Sequence, residues 1–368
     1  MTSLAKLLVL VSLFSQFACS ENDETVDLYA LLQVEVLTTE LSSPWGMVQL
    51  PDGALLITEK TGSARLWSRG RLSHPISRTP EAYVAGQGGL LDVVLHPEYE
   101  KNGWIYLSYA YGDRRKNATR LVRTRLSGLQ FSTPEVLFTA TRKNTAAHFG
   151  GRMTFLPDRT LLLTVGDGYS FKDQAQELSS TLGKIIRLNG DGSIPDDNPF
   201  VALESAKPEI YSLGHRNPQG IYFDPERKVV FSNEHGPKGG DEINIIESGK
   251  NYGWPKITYG VDYSGEVITP HSALPGLEQP LVDWTPSIAP SSIIVYYGQQ
   301  FPEFRGHLLS TTLKYRELRL TQLSGTKVVN EVSLLTEWNE RFRDLLVGSE
   351  GEIYLLTDSG KLMKVTRR

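Results

Sequence analysis

His148 and Asp167 are the residues of this chain whose types and spacing first suggest chemistry. They flank two apolar, β-prone runs, Met153 to Leu156 and Leu161 to Val165, which are separated by the turn composition Pro157-Asp158-Arg159-Thr160. Folded about that turn as a hairpin, the segment brings an imidazole and a carboxylate to one rim. Gly150, Gly151, Gly166 and Gly168 let other groups approach closely. A histidine beside an aspartate suits a general base with its orienting partner. The competing reading of the hairpin alone is a surface histidine near a turn aspartate.

Further polar groups recur at the same ends of other hairpins. Gln87 precedes one, Gly214-His215-Arg216-Asn217-Pro218-Gln219 precedes another, Lys314 follows a third, and Arg341 and Arg343 precede a fourth. Taken singly, each cation reads as rim solvation. Taken together, Arg216, Lys314, Arg341 and Arg343, with the amides of Gln87 and Asn217, suit a small polyanionic ligand. Gly236-Pro237-Lys238-Gly239-Gly240-Asp241-Glu242 is a turn that exposes carbonyl oxygens beside acids, a donor set suited to Ca²⁺, although such turns are common in all-β chains. His74, His96, His271 and His307 lack metal-ligand spacing, and no serine or cysteine nucleophile motif stands out.

The elements that must position these groups repeat one grammar, in which an apolar strand runs into a Pro/Asp/Glu/Gly turn and a second apolar strand follows. It occurs at Trp45 to Thr58, Leu90 to Tyr109, Met153 to Val165, Gly220 to Ser232, Ser292 to Thr311 and Asp344 to Thr357. Further short strands follow several hairpins, such as Ala64 to Trp67, Arg120 to Leu126, Lys184 to Arg187 and Lys361 to Val365. About six repeats of about four short strands predict an all-β fold, a six-bladed β-propeller of four-stranded antiparallel blades over residues 31–368. A pair of β-sandwiches is the competing architecture, disfavoured because no linker-like break divides the hairpins.

The formal net charge of −4 argues against a general nucleic-acid binder. The one cysteine, Cys19, excludes an intramolecular disulfide. It ends a segment with Lys6 near its start and an apolar run, Leu7 to Phe17, too short to span a bilayer well. Residues 1–20 therefore read as a signal peptide, with export to the periplasm. Ala18-Cys19-Ser20 suits signal-peptidase cleavage; alternatively Cys19 is the lipidated first residue of a lipoprotein anchored to the membrane, although Gln16 stands where leucine is expected. The remaining reading is the N-terminus of a cytosolic protein. Residues 21–30 are polar and acidic, a tether before the fold.

From about Leu41 onward the chain resembles the soluble aldose sugar dehydrogenases that depend on pyrroloquinoline quinone (PQQ), within the glucose/sorbosone dehydrogenase family. The resemblance rests on Gly86-Gln87-Gly88-Gly89-Leu90-Leu91-Asp92 with His96-Pro97, on His148-Phe149-Gly150-Gly151-Arg152, on Gly166-Asp167-Gly168, and on Gly214-His215-Arg216-Asn217-Pro218-Gln219-Gly220. It continues with Glu234-His235-Gly236-Pro237, Asp241-Glu242-Ile243-Asn244 and Asn251-Tyr252-Gly253-Trp254-Pro255; together these are specific, singly none is. The resemblance implies a six-bladed propeller that oxidises aldoses at the anomeric carbon to the lactone and passes electrons to an external quinone or cytochrome. By the same resemblance His148 matches the base and Asp167 the carboxylate that orients it. Gln87 matches a substrate or cofactor amide, while Arg216, Asn217, Lys314, Arg341 and Arg343 match the PQQ-binding set. The carbonyls of Gly236 and Pro237 match ligands of a Ca²⁺ that also binds PQQ, and Glu242, Tyr252 and Asp262 fall where a second, structural Ca²⁺ can sit. His235 stands where glucose-specialised members carry glutamine, so the resemblance leaves the preferred sugar open. Two other classes are weighed against this one: a non-redox propeller hydrolase of lactonase type, which needs a carboxylate-lined metal at the channel centre, and a carbohydrate-binding propeller without a cofactor.

Overall fold

A computed structural model describes residues 27–368. The signal segment with Cys19 and residues 21–26 of the tether lie outside the described residues. Residues 28–31 form a turn, and Leu28 packs against the core.

Each expected hairpin forms the inner pair of a four-stranded antiparallel sheet. The six innermost strands are Pro44–Gln49, Leu90–Leu95, Met153–Phe155, Pro218–Asp224, Pro290–Val295 and Phe342–Val347. Each packs beside the next, and the last packs beside the first, so the sheets close into a six-bladed propeller. The fifth inner strand begins two residues earlier than the sequence pattern suggests, and its turn holds a short 3₁₀ segment, Pro302–Phe304. The only α-helical turn among the described residues is Tyr99–Asn102, inside the second hairpin's loop.

Blade faces stack on one another, so the second strand of a blade is covered on both sides. Leu55–Glu59, Leu161–Val165, Leu308–Thr312 and Ile353–Thr357 are buried at every position. That is why they read as continuous apolar and small-polar runs rather than alternating ones. Six apolar clusters fill the six gaps between neighbouring blades. One gathers Leu56, Leu90, Leu107 and Val122 from blades one and two; another gathers Met47, Ile57, Leu356 and Leu362 from blades one and six. Each fully buried leucine or isoleucine contributes about 1.5–3 kcal/mol.

Ring closure uses a strand that the hairpin grammar does not reveal. Leu32–Thr38 pairs antiparallel with Leu362–Arg367 and becomes the outer strand of the last blade, so the N-terminal end of the fold staples the C-terminal end. At the channel centre, Arg152 donates through Nη1 to Asp344 Oδ1 at 2.9 Å and Asp92 Oδ1 at 3.2 Å, and through Nε to the Gln219 carbonyl at 2.9 Å. Its guanidinium also lies 4.2 Å over the Trp45 ring. One buried cation thus ties together groups from five of the six blades.

Candidate active site

His148 sits on the loop that enters the third blade, with a left-handed φ of 49°. Such a backbone at a non-glycine residue is held by its surroundings. Gln87 Oε1 accepts the His148 backbone N–H at 2.7 Å, and a Cβ on Gly166 would meet the His148 carbonyl oxygen at 2.4 Å. Glycine at 166 is therefore what lets this loop lie against the end of the strand that leads to Asp167.

The His148 ring is only 5% exposed and Asp167 is fully buried. Asp167 Oδ1 accepts from His148 Nδ1 at 2.6 Å and from the Tyr169 backbone N–H at 2.7 Å, and its Oδ2 accepts from Trp254 Nε1 at 2.8 Å. An acceptor-only carboxylate places the imidazole proton on Nδ1 and leaves the Nε2 lone pair available. Among the described residues no group hydrogen-bonds Nε2. Burial pulls the His148 pKa below the ordinary imidazole value, opposed by the hydrogen bond and charge of Asp167 and reinforced by Arg216 and Lys143. The ring is a neutral base at neutral pH.

A cavity of about 230 Å³ lies next to the dyad, at the end of the channel away from the inner hairpin turns, although neither His148 nor Asp167 lines it. Gln87, Phe149 and Gly150 connect the dyad to its wall, which continues through Trp45, Asn217, Gln219 and His235. On the far side Arg341 and Arg343 line it together with Lys60 and Asp358. Asp358 takes the Nε–H groups of both arginines, at 2.8 and 3.0 Å. His235 donates Nε2–H to the Pro290 carbonyl at 2.7 Å, and burial pushes its pKa down to about 3, so it too is neutral and keeps a lone pair on Nδ1. A larger open groove of about 530 Å³, between His96–Lys101 and Ser349, lies at the hairpin-turn end and gathers no comparable set.

Beside the main cavity, Glu234 accepts from His215 Nδ1 at 2.9 Å and from the Arg216 backbone N–H at 2.6 Å. Arg216 in turn donates to the carbonyls of His235 at 3.1 Å and Gly236 at 2.6 Å. Glu242 lines the same small recess, and burial and then the neighbouring Glu234 raise its carboxyl well above the ordinary range.

The structure thus brings together His148, Asp167, Gln87, Asn217, Arg341 and Arg343, with Arg216 in the adjoining recess. Three expected residues stand apart from this grouping. Lys314 is exposed, 6.0 Å from the Tyr315 ring, and does not line the cavity, although Leu313 beside it does. The Tyr252 hydroxyl is engaged with the Ile245 carbonyl and the Glu247 N–H, so only its body reaches the recess that Glu242 lines. Asp262 caps its own turn at the Ser264 N–H and does not line that recess. The sequence reading missed Lys60, Asp358 and Gln219 as cavity groups, and Trp254 as a partner of Asp167. Trp254 stood within a quoted motif; Lys60, in the turn after a strand, carried no signal.

The glucose/sorbosone dehydrogenase family model matches residues 41–364. The chain belongs to the glucose/sorbosone dehydrogenase family. Within it the chain is 40% identical to the aldose sugar dehydrogenase YliI of Escherichia coli, over 92% of this chain and 94% of that one. The solved apo-form of the soluble aldose sugar dehydrogenase from Escherichia coli superposes with a TM-score of 0.89, at 39% identity, over 92% of this chain and all of that one. The PQQ-bound form of an aldose sugar dehydrogenase from Streptomyces coelicolor superposes with a TM-score of 0.76, at 27% identity, over 92% and 99% of the two chains. This chain is accordingly a sugar-oxidising enzyme of the glucose/sorbosone dehydrogenase family.

Proposed function

We propose that the protein oxidises aldoses at the anomeric carbon to the lactone, with PQQ as hydride acceptor and Ca²⁺ beside it. The observation that carries this reading is the pairing of a neutral, oriented imidazole with a cavity whose wall holds three cations, Lys60, Arg341 and Arg343, against one carboxylate, Asp358. A small tricarboxylate such as PQQ fits that imbalance. The donor set for a cation fits as well. The Gly236 and His235 carbonyls face a guanidinium, and the buried Glu234 and half-buried Glu242 carboxylates repel one another nearby. Among the described residues no three His, Cys, Asp or Glu side chains form a metal cage. A calcium ion here would rest chiefly on carbonyl oxygens, with the Gly236 and Pro237 carbonyls as protein ligands and Glu242 available to a second ion.

The chemistry PQQ and Ca²⁺ supply when bound is a polarised quinone that takes the hydride from the anomeric carbon. The chain's own residues handle the proton. His148 Nε2 accepts it from the anomeric hydroxyl, and Asp167 stabilises the imidazolium through Nδ1. Trp254 and Tyr169 hold the carboxylate so that the ring cannot turn away. Gln87, which lines the cavity and holds the loop of His148, is placed to orient the sugar. The hydrolase alternative loses ground at the channel centre, where Asp92 and Asp344 are already paired with Arg152.

An external electron acceptor and export, with or without lipidation at Cys19, are part of the same reading. Reconstitution tests it. Cofactor-free protein is expected to gain aldose-dependent dye reduction only when PQQ and Ca²⁺ are both supplied. Full activity after chelation and cofactor removal contradicts the proposal.

A further inference from the structure

Lys143 precedes His148 on the loop that enters the third blade, and it is buried. A buried ammonium needs partners for its donors. Lys143 Nζ donates to the Asn117 side-chain oxygen at 3.0 Å and to the Thr145 carbonyl at 2.7 Å, and it lies 3.4 Å from the centre of the Phe149 ring. The backbones of Lys143 and Asn117 exchange both N–H···O bonds at 2.8 Å, which fastens the loop to the strand Asn117–Thr124 of the second blade. Each of these partners is neutral. Among the described residues no carboxylate lies within salt-bridge distance of Lys143.

This ammonium stands between the two loops that carry the dyad. On one side its contacts, Thr145 and Phe149, flank His148 in the chain. On the other side, a Cβ at Gly168, whose φ is +74°, would meet Lys143 Cδ at 2.6 Å, so glycine next to Asp167 is what lets the lysine stem pass. Thr145 Oγ1 ties the same two loops by donating to the Gly168 carbonyl at 2.6 Å. The charged and titratable groups that face His148 are Asp167, Arg216, Lys143 and His235, with the Tyr169 ring edge-on at 5.2 Å. Asp167 is the one charge that opposes burial at Lys143. A single carboxylate thus serves two cations, the imidazolium through Nδ1 and the ammonium at longer range.

Building on the reading of His148 as the base, we infer that Lys143 is a positioning residue of the dyad: its buried ammonium wedges the His148 loop against the Asp167 loop, and its charge disfavours the imidazolium, so that the resting ring stays free to take a proton. Burial lowers the Lys143 pKa to about 7 against the pull of Asp167, so the ammonium is charged across the acid range in which His148 titrates. A cation beside an imidazole lowers its pKa, and removing that cation raises it, opposite in sign to the loss of Asp167. Lys143 thereby extends the working range of the base toward acid.

The test begins on cofactor-free protein, with the imidazole Cε1–H resonance of His148, identified by its absence from His148→Gln, followed through a pH titration by NMR. In Lys143→Met and in Lys143→Gln the midpoint is expected at higher pH than in wild type, and in Asp167→Asn at lower pH. If Lys143 is only a prop, glutamine, which can still donate to the Thr145 carbonyl, restores the wild-type midpoint. A reciprocal measurement requires no lysine variant to fold. In ¹³C-lysine-labelled wild type, two Cε resonances are expected to titrate near neutral pH. One is that of Lys143; the other is that of Lys184, whose ammonium is held by the Gln174 and Leu182 carbonyls and lowered by burial to about 7. Asp167→Asn is expected to move the Lys143 signal to lower pH and to leave Lys184 in place. On protein reconstituted with PQQ and Ca²⁺, both Lys143 variants are expected to lose about 3–10-fold in kcat/KM on the acid limb. The loss is smaller on the alkaline plateau, where wild-type Lys143 has itself given up its proton. A His148 midpoint that stays or falls in the Lys143 variants, one that glutamine restores, or a Lys143 signal indifferent to Asp167→Asn overturns the assignment of Lys143, whatever the assay gives. Reconstituted wild type that oxidises no aldose overturns the functional reading and, with it, the base that Lys143 serves, whatever the titrations give.

Discussion

His148→Gln is expected to lower kcat by about 10²–10⁴-fold, about 3–5 kcal/mol in barrier, while PQQ binding is kept. Glutamine preserves polarity and approximate length but cannot accept the proton at the pH of the reaction. Because proton removal occurs in the transition state, the loss falls on kcat and on kcat/KM together. The cavity cations hold the cofactor without the imidazole, so a PQQ titration of the variant separates binding from chemistry. The pH profile gives an independent check. Activity disappears on the acid side as His148 becomes protonated, and burial sets that midpoint below the ordinary imidazole value of about 6.5. Asp167 opposes burial, favouring the protonated ring through its hydrogen bond and charge. Asp167→Asn should therefore move the acid limb to still lower pH, with a smaller loss of rate because the ring is less firmly oriented. A His148→Gln enzyme within a few-fold of wild type, with PQQ bound, would show that the base has been misassigned.

Arg152→Met is expected to cost about 3–5 kcal/mol of stability, read as a lower urea midpoint with an unchanged slope. The methionine approximates the lost volume but strands Asp92 and Asp344 in the channel, where both are buried. Even with Arg152 present, burial raises the Asp92 carboxyl to about 6 and also raises that of Asp344. For an acid whose folded pKa lies above the unfolded one, the native state binds more protons across the window between them. Stability therefore falls as pH rises through about 4 to 6. Removing Arg152 takes away the charge that lowers both pKa values, so the window extends upward. The variant should accordingly lose more stability at pH 8 than at pH 5. Adding Asp92→Asn and Asp344→Asn to Arg152→Met should recover part of the loss. A variant as stable as wild type at pH 8 would mean that the triad does not hold the blades together.

The site explains why these two effects differ in kind. His148 contributes to a reaction and is held by neighbours that survive its loss, namely Gln87, Gly166 and Asp167. Arg152 makes no contact with the dyad but joins groups from several blades, so its loss loosens the ring on which the site is built.

The amino-acid sequence by itself determined the hairpins, their number and the dyad, because each is local. A turn such as Pro157-Asp158-Arg159-Thr160 and the apolar runs beside it specify a strand pair over about a dozen residues, and that pair alone brings His148 to Asp167. Gln87, Asn217, Arg341 and Arg343 were legible for a related reason: each lies at the same end of its own hairpin, and blades stacked in a ring bring those ends to one cavity. Only the tertiary structure decided which remaining cation faces inward. Lys60 and Lys314 both follow strands and look alike in the sequence, but Lys60, packed closely over Gly89, lines the cavity, while Lys314 is exposed. Trp254 reaches Asp167 across 87 positions, Asp358 joins two arginines of its own blade, and Leu32–Thr38 finds its partner at the opposite end of the chain. Such contacts form when the blades close into a ring, and no local periodicity or turn chemistry encodes them.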